Sequence, residues 1–296
     1  MKKSKIENID DVIMSPLFIV GAPRSGTTWL QRMFLSHPSV AGGQETNFFT
    51  FFAPAITSVE LVPTDNERVV GLSPYWAKRD FYEEIKVLWK KTFTPLISEN
   101  EGHSLLVEKT PDHCFQMESI KKILPNSKFI HIIRDSRSVV ASMLAASQDW
   151  GRHWAPSCAK DASIKWWRSV TSGRLNGSDL NEYEYLEVHY ESLLAHPKIE
   201  LERIFDFSDL TYNDELITKI VEENCFDKQK NSTKAAFVAT QGDQLIEPKG
   251  FHRKGTTDSW KTDLSWIEKL IVWRYTRRLM RECGYTWRGF VGKGDD

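Results

Sequence analysis

Cysteine is scarce in this sequence and scattered, with Cys114, Cys158, Cys225 and Cys283 the only four. No CxxC pair and no Cys/His ligand spacing joins them, so neither a zinc site nor a disulfide framework is indicated. Buried thiols account for them. Long apolar runs are missing too: nowhere do about 18 apolar residues follow one another, so a membrane span is not indicated. The start, Met1-Lys-Lys-Ser-Lys-Ile-Glu-Asn, lacks the apolar core of a signal peptide. From these absences a reducing, cytoplasmic setting is expected. Charge of neither sign dominates, since 39 Lys and Arg face 40 Asp and Glu for a net charge of −1. That balance carries no footprint for nucleic-acid binding. Any anion site must be local.

What remains is an ordinary globular composition, 296 residues that are 41% hydrophobic and 27% charged. The length suits one large α/β domain, and residues 1–296 are taken as a single domain with 1–14 flexible. Short β-branched apolar runs predict buried parallel strands at Leu17–Val20, Ser104–Val107, Lys128–Ile133 and Tyr185–Val188. Helical patterns fall between them: Gly26 to about Ser36, Phe81–Lys91, His113–Leu124, Val139–Ser147, Ala159–Leu175 and Leu264–Arg281. Alternation of this kind predicts an α/β fold, a P-loop-like three-layer arrangement with a central parallel sheet and helices on both faces. The aromatic stretches Phe48–Pro74 and Trp150–Ser157 read as irregular insertions near the site, possible lids.

The stretch Pro16-Leu-Phe-Ile-Val-Gly21-Ala-Pro-Arg24-Ser25-Gly26-Thr27-Thr28-Trp29 carries the most information. A buried strand enters a glycine turn and a helix follows at once, aiming backbone N–H groups and a helix dipole at one small volume. Such a volume binds a phosphate or similar oxyanion. Gly21 and Gly26 keep the spacing of the nucleotide-binding pattern GxxxxGK[ST], but Thr27 stands where its Lys should be. Arg24 is the loop's cation instead. An ATPase needs that Lys and an acidic group for Mg²⁺, and Arg134 separates the strand Phe129–Ile133 from Asp135, so a metal-binding reading is poor.

Pro23-Arg-Ser-Gly-Thr-Thr-Trp29 resembles the 5′-phosphosulfate loop of sulfotransferases that use 3′-phosphoadenosine 5′-phosphosulfate (PAPS) and release PAP. The resemblance implies that Arg24 contacts the bridging and sulfuryl oxygens, that Ser25, Gly26, Thr27 and Thr28 hold the 5′-phosphate, and that Trp29 stacks on adenine. It implies a 3′-phosphate site from Arg134 at a strand end and Ser142 on the helix that follows, with Arg137 a weaker, exposed candidate. Phe251-His-Arg253-Lys254-Gly255 is similar to the segment that closes over the same phosphate, with Asp258-Ser259-Trp260 in place of the family's Gly-Asp-Trp. Tyr190 matches a strand-end Tyr that meets adenine. No metal is implied, because a sulfuryl group carries less charge than a phosphoryl group and protein cations suffice.

In-line transfer needs a base for the acceptor's proton and cations for charge growing on the leaving phosphate. Glu45, in Gly43-Gln-Glu-Thr-Asn-Phe-Phe49, resembles the catalytic Glu of glycosaminoglycan sulfotransferases, and Lys109, in Glu108-Lys-Thr-Pro111, the active-site Lys of the same enzymes. His113 is the rival base, by likeness to the His of aryl and steroid sulfotransferases, while His131 inside an apolar strand reads as a core histidine. Trp76, Trp89, Trp150, Trp154, Trp166 and Trp167 fall in the variable parts where an acceptor pocket should form, though Trp166 and Trp167 lie on an amphipathic helix, where core packing is the commoner explanation. The expected function is therefore sulfuryl transfer to a carbohydrate or related small-molecule hydroxyl, with no nucleic-acid partner. A tyrosylprotein sulfotransferase is the alternative within the class, and a nucleotide kinase or NTPase with a degenerate loop the alternative outside it.

Overall fold

A computed structural model describes residues 8–60, 71–225, 228 and 256–291, together with the backbone of 234–238 and 244–246. Five strands form one sheet: β1 (Leu17–Gly21), β2 (Val40–Gly42), β3 (Leu105–Lys109), β4 (Lys128–Ile133) and β5 (Tyr185–His189). They run parallel in the order β2-β3-β1-β4-β5. The four strands expected from sequence are present, within a residue or two at their ends. The fifth, β2, has three residues and too little pattern to be read. Lys234–Val238 and Gln244–Ile246 form a separate antiparallel pair.

Strand β1 shows why the sheet lies between two layers. Phe18 and Val20 point into one core with Leu106 and Phe129, while Leu17 and Ile19 point into another with Val107 and Ile130. Alternate residues thus face opposite layers, and every β1 residue is buried. This is the continuous apolar run of a strand covered on both faces. The first layer holds α1 (Ile9–Met14), α3 (Phe48–Glu60), α4 (Lys78–Ser98) and α5 (Met117–Ile123). The second holds α2 (Thr27–Leu35), α8 (Tyr190–Ala195), α9 (Pro197–Phe207) and α10 (Asp214–Glu223). A third cluster, under the carboxyl ends of β1 and β4, joins α6 (Ser136–Ser147), α7 (Ala159–Ser178), α11 (Trp260–Asp263) and α12 (Trp266–Glu282).

Two expectations are corrected here. Residues Ile9–Met14 are helical rather than flexible: Asn8 accepts from the Asp10 N–H as a cap, Val12 and Ile13 are buried, and the Trp89 indole donates to the Ile13 carbonyl at 2.8 Å. Phe48–Glu60 is a helix rather than an irregular insertion. Phe48, Phe49, Ile56 and Val59 recur at helical spacing and are buried, with Phe49 against Phe18 and Trp89. Aromatic crowding hid an ordinary amphipathic period. His113–Leu124 divides into a short 3₁₀ turn, Pro111–Phe115, and α5.

His131 is a core histidine as expected, fully buried in β4 with Nδ1 2.7 Å from the Tyr185 hydroxyl. Burial pushes its pKa down to about 4, against about 6.5 in the unfolded chain. The unfolded state therefore binds the extra proton first, and stability present above pH 6.5 is lost as the pH falls toward 4. The loss amounts to about 3 kcal/mol by linkage. Denaturant midpoints measured from pH 7 to 4.5 should fall more steeply for the wild type than for His131→Gln. Equal slopes would remove His131 as the cause.

Candidate active site

The sheet order puts a crevice at the carboxyl ends of β1 and β4, where connections leave β1 and β4 toward opposite edges of the sheet, the usual place for a ligand in such folds. Gly21 lies beside Ile132, so the loop after β1 and Arg134 after β4 are neighbours by register. Lys109 ends β3 beside Ile19. Three sequence-distant segments thus converge on one edge.

The loop after β1 is tightly specified. Gly21 has φ 148°, and a Cβ there would meet the Ile132 carbonyl at 2.5 Å. Gly26, the left-handed N-cap of α2 at φ 102°, has the Tyr190 ring 2.6 Å from where a Cβ would stand. Only glycine fits either position. Arg24 also takes a positive φ, 74°, a strain of about 1–3 kcal/mol of the sort that gathers at functional sites. The Ser25 hydroxyl is fully buried with no hydrogen-bond partner among the described residues. Leaving such a group unpaired costs about 1–3 kcal/mol, and an anion oxygen seated in the loop would satisfy it.

The residues singled out as the 3′-phosphate site meet this loop directly. Arg24 Nε donates to Ser142 Oγ at 3.1 Å. Arg134 donates through Nη1 to the Arg24 carbonyl and through Nη2 to the Thr256 carbonyl, at 3.4 and 3.1 Å. Its guanidinium lies 3.9 Å from the Tyr190 ring centroid, while its Nε is buried without a partner among the described residues. The Trp166 indole fixes this strand end by donating to the Arg134 carbonyl at 2.9 Å. Trp29 packs edge-on against Tyr190, with centroids 5.3 Å apart, and donates to the Asn224 carbonyl at 2.9 Å. Thr27 is buried at the start of α2, beside Thr28. The loop's open backbone, Ser25 Oγ and Arg134 Nε are thus suited to a nucleotide carrying anions at two ends. Arg253, Lys254 and Gly255 lie outside the described residues.

Glu45 and Lys109 form an ion pair, with the lysine buried and the carboxylate half-exposed. Beneath them lies a network that reading along the chain missed. Glu108 is buried and accepts from Thr46 Oγ1 at 2.9 Å, Thr110 Oγ1 at 2.7 Å and His113 Nδ1 at 2.9 Å. Burial pushes the Glu108 carboxyl up, but His113 and these hydrogen bonds outweigh it and hold its pKa below the usual value. His113 Nε2 accepts from the Phe49 N–H at 3.2 Å, and Asn47 N–H donates to Thr110 at 3.2 Å. These bonds tie the Glu45 loop to the end of β3, and the Gln31 amide adds a tether by donating to the Gly43 carbonyl at 2.9 Å. Both ring nitrogens of His113 are occupied in a fully buried position, so it is a structural histidine and a poor base. The Glu-Lys-Thr-Pro sequence was itself the available signal for Glu108, read only for its lysine.

Arg137 departs most from expectation. Far from exposed, it is fully buried, with Asp135 accepting from its Nε and Nη2 at 2.9 and 2.6 Å. Its Nη groups donate to the Thr286 and Trp287 carbonyls, and Trp260 covers it at 3.8 Å. Nearby, Glu191 accepts from the Asp135 N–H at 3.0 Å and the Tyr285 hydroxyl at 2.7 Å. Burial raises the Glu191 pKa, the Tyr285 bond opposing it. The C-terminal turn is thereby bound to the start of α6. Trp150–Ser157 is irregular as expected, a run of turns in which Gly151 N–H donates to the Ala146 carbonyl at 2.9 Å and Ala155 N–H to the Gly151 carbonyl at 2.8 Å.

A strand-to-helix anion loop with arginine for lysine, a second arginine at the adjacent strand end and a Glu–Lys pair beside them define a class, and the chain belongs to the sulfotransferase family. That family's model matches residues 16–214. The chain is 26% identical over 215 residues to protein-tyrosine sulfotransferase A of Caenorhabditis elegans, covering 68% of this chain and 51% of that protein. It is 25% identical over 248 residues to the protein-tyrosine sulfotransferase of Drosophila melanogaster, covering 79% and 45%. The chain thus spans about half the length of these curated relatives. Its fold is shared with the sulfotransferase domain from the curacin biosynthetic pathway, at TM-score 0.57, 22% identity and coverage of 90% and 97%. A mouse sulfotransferase complexed with PAP also has TM-score 0.57, at 16% identity, covering 90% and 84%. The α/β fold with a central parallel sheet is therefore the family's.

The cytoplasmic setting expected from composition is overturned by these relatives, which are protein-tyrosine sulfotransferases. The polar start of the sequence was too slender a ground, because compartment is not encoded in the fold. Among the described residues no helix is long and apolar enough to cross a membrane.

Proposed function

We propose that the chain is a PAPS-dependent sulfotransferase, acting as one catalytic unit, whose acceptor is the hydroxyl of a protein tyrosine. The observation that carries the donor assignment is the buried, unpartnered Ser25 hydroxyl inside the Arg24–Thr28 loop, with Arg134 and Ser142 joined to Arg24. The protein-tyrosine sulfotransferases among its relatives support the acceptor, in place of the carbohydrate or small-molecule acceptor expected from sequence.

When bound, PAPS supplies a sulfuryl group whose bond to the 5′-phosphate oxygen breaks as a new bond to the acceptor oxygen forms. The loop amides after Gly21, Ser25, Thr27 and Thr28 hold the 5′-phosphate at the start of α2. Arg24 steadies charge on the oxygen that keeps the bonding electrons. Arg134 and Ser142 hold the 3′-phosphate, joined in the full site by Arg253, Lys254 and Gly255, and Trp29 and Tyr190 flank the adenine. Glu45 takes the phenolic proton, and Lys109 orients Glu45 and the sulfuryl oxygens.

Calorimetric titration with PAP and with ADP, each with and without Mg²⁺, tests the donor site. Tight metal-independent binding of PAP over ADP is the expected outcome, and Mg²⁺-dependent preference for ADP would return the chain to the nucleotide kinases. Arg134→Ala should weaken PAP about 30- to 100-fold, as for the loss of a charge-assisted bond to a phosphate worth roughly 2–3 kcal/mol. AMP, lacking the 3′-phosphate, should lose far less. Equal losses for PAP and AMP would remove Arg134 from the 3′-phosphate site. Sulfation of a tyrosine peptide against an oligosaccharide then separates the two acceptors.

A further inference from the structure

The chain has 11 tryptophans, and the structure sorts those of the acceptor region into two kinds. Trp89 and Trp166 are fully buried, with their indole N–H groups bonded to carbonyls. Trp150 and Trp154 stand instead on the turn after α6, with ring centroids 5.5 Å apart and planes inclined by 48°. The Arg24 guanidinium lies 5.2 Å from the Trp150 ring. Lys165 Nζ lies 5.5 Å from the Trp154 ring, which is 36% exposed. An unbroken line thus runs from the loop arginine across two indoles to a lysine. Asp112 lies within electrostatic reach of both Lys165 and Glu45, with its Oδ1 buried and without a partner among the described residues.

The turn carrying the two indoles adds neither of them to the core clusters of the described residues. Its backbone is pinned to the carboxyl end of α6, the helix that presents Ser142 to Arg24. Keeping an indole partly in water forgoes hydrophobic stabilisation, and a ligand that completes the burial restores it. The inclination selects the ligand. Two coplanar rings would make a flat platform for a sugar face, whereas an inclined pair offers an entering aromatic ring a face from one indole and an edge from the other, the preferred arrangements between aromatic rings.

We propose that Trp150 and Trp154 are positioning residues that form the acceptor wall, and that the wall takes a phenolic ring and directs its hydroxyl between Arg24 and Glu45. The proposal rests on the reading of the chain as a PAPS-dependent, tyrosine-sulfating enzyme. Trp154 gives the cleaner test because Trp150 touches Arg24.

The experiment follows transfer from PAPS to a peptide with one tyrosine, by wild type, Trp154→Ala and Trp154→Phe, with PAP affinity measured alongside. Trp154→Ala should raise KM for the peptide about tenfold, the size of one aromatic contact, with kcat and PAP affinity little changed. Trp154→Phe should restore most of the loss, which a merely structural role would not require. An unchanged KM in Trp154→Ala, or no rescue by Trp154→Phe, overturns the wall while leaving the enzyme's activity standing. Wild type that binds PAP but leaves the tyrosine peptide unmodified refutes the acceptor reading, and this proposal with it. Wild type that fails to bind PAP refutes the donor reading first.

Discussion

Glu45→Gln should lower kcat about 10²- to 10⁴-fold, the range for losing a general base, while PAP binds as before. The substitution suits the site. Glu45 reaches Lys109 through a carboxylate oxygen, and the glutamine amide oxygen can accept from the same ammonium, so the buried lysine keeps a partner. Only the capacity to take a proton is removed. The loop itself is held by Thr46 and Asn47 on Glu108 and Thr110, independently of the Glu45 side chain. Single-turnover transfer beside PAP calorimetry checks the prediction. Transfer that survives would move the base elsewhere, and Asp112 would be the next carboxylate to test. Burial holds its pKa above the usual range, and Glu45 adds to the shift. His113 would remain a poor choice, enclosed between Glu108 and the Phe49 N–H.

Arg137→Ala should lower stability by about 3–5 kcal/mol, the range for breaking a buried ion pair by removing one partner. Asp135 is 3% exposed and would lose the guanidinium that both of its carboxylate oxygens now bind. The Thr286 and Trp287 carbonyls would lose their donors, and the ring of Trp260 its cover. Arg137→Lys should recover little, because an ammonium cannot make the forked contact to Asp135 while reaching both carbonyls. Thermal unfolding should drop by on the order of 10 °C for a chain of this size. A change below about 1 kcal/mol would show the pair to be of the weak, solvated kind. PAP affinity should also fall in the alanine variant, since the Arg137 guanidinium holds the Asp135 carboxylate that caps α6, the helix that carries Ser142.

The two predictions mark the line between what was legible in the residues and what was not. Features that live within a few consecutive residues were readable: the strand, glycine turn and helix from Leu17 to Leu35, the arginine and serine of β4 and α6, and the apolar runs of four of the five strands. Each is a local device, a strand-to-helix turn made by one stretch of backbone or a strand buried on both faces, so its geometry is contained in its spacing. The family resemblance rested on the same local motifs.

Only the tertiary structure could decide how those devices were joined. Arg24 and Ser142 are 118 positions apart, and it is the parallel register of β1 and β4 that brings them into contact. Glu45 and Lys109 stood out as separate candidates, yet their pairing and the Glu108–His113 scaffold beneath them depend on α3 folding back over β3. Arg137 had the look of any arginine at a helix start. Burial and partners are properties of the assembled chain, and here they come from Trp260, Thr286 and Trp287, more than 120 positions downstream. Trp89 and Trp150 are alike as letters, but packing made the first a core residue and left the second beside Arg24. The sequence by itself determined the strand-to-helix turn at Gly21–Gly26, the strands and the class. The fold, because burial and charge pairing are non-local, determined which of the marked residues meet and what each can do.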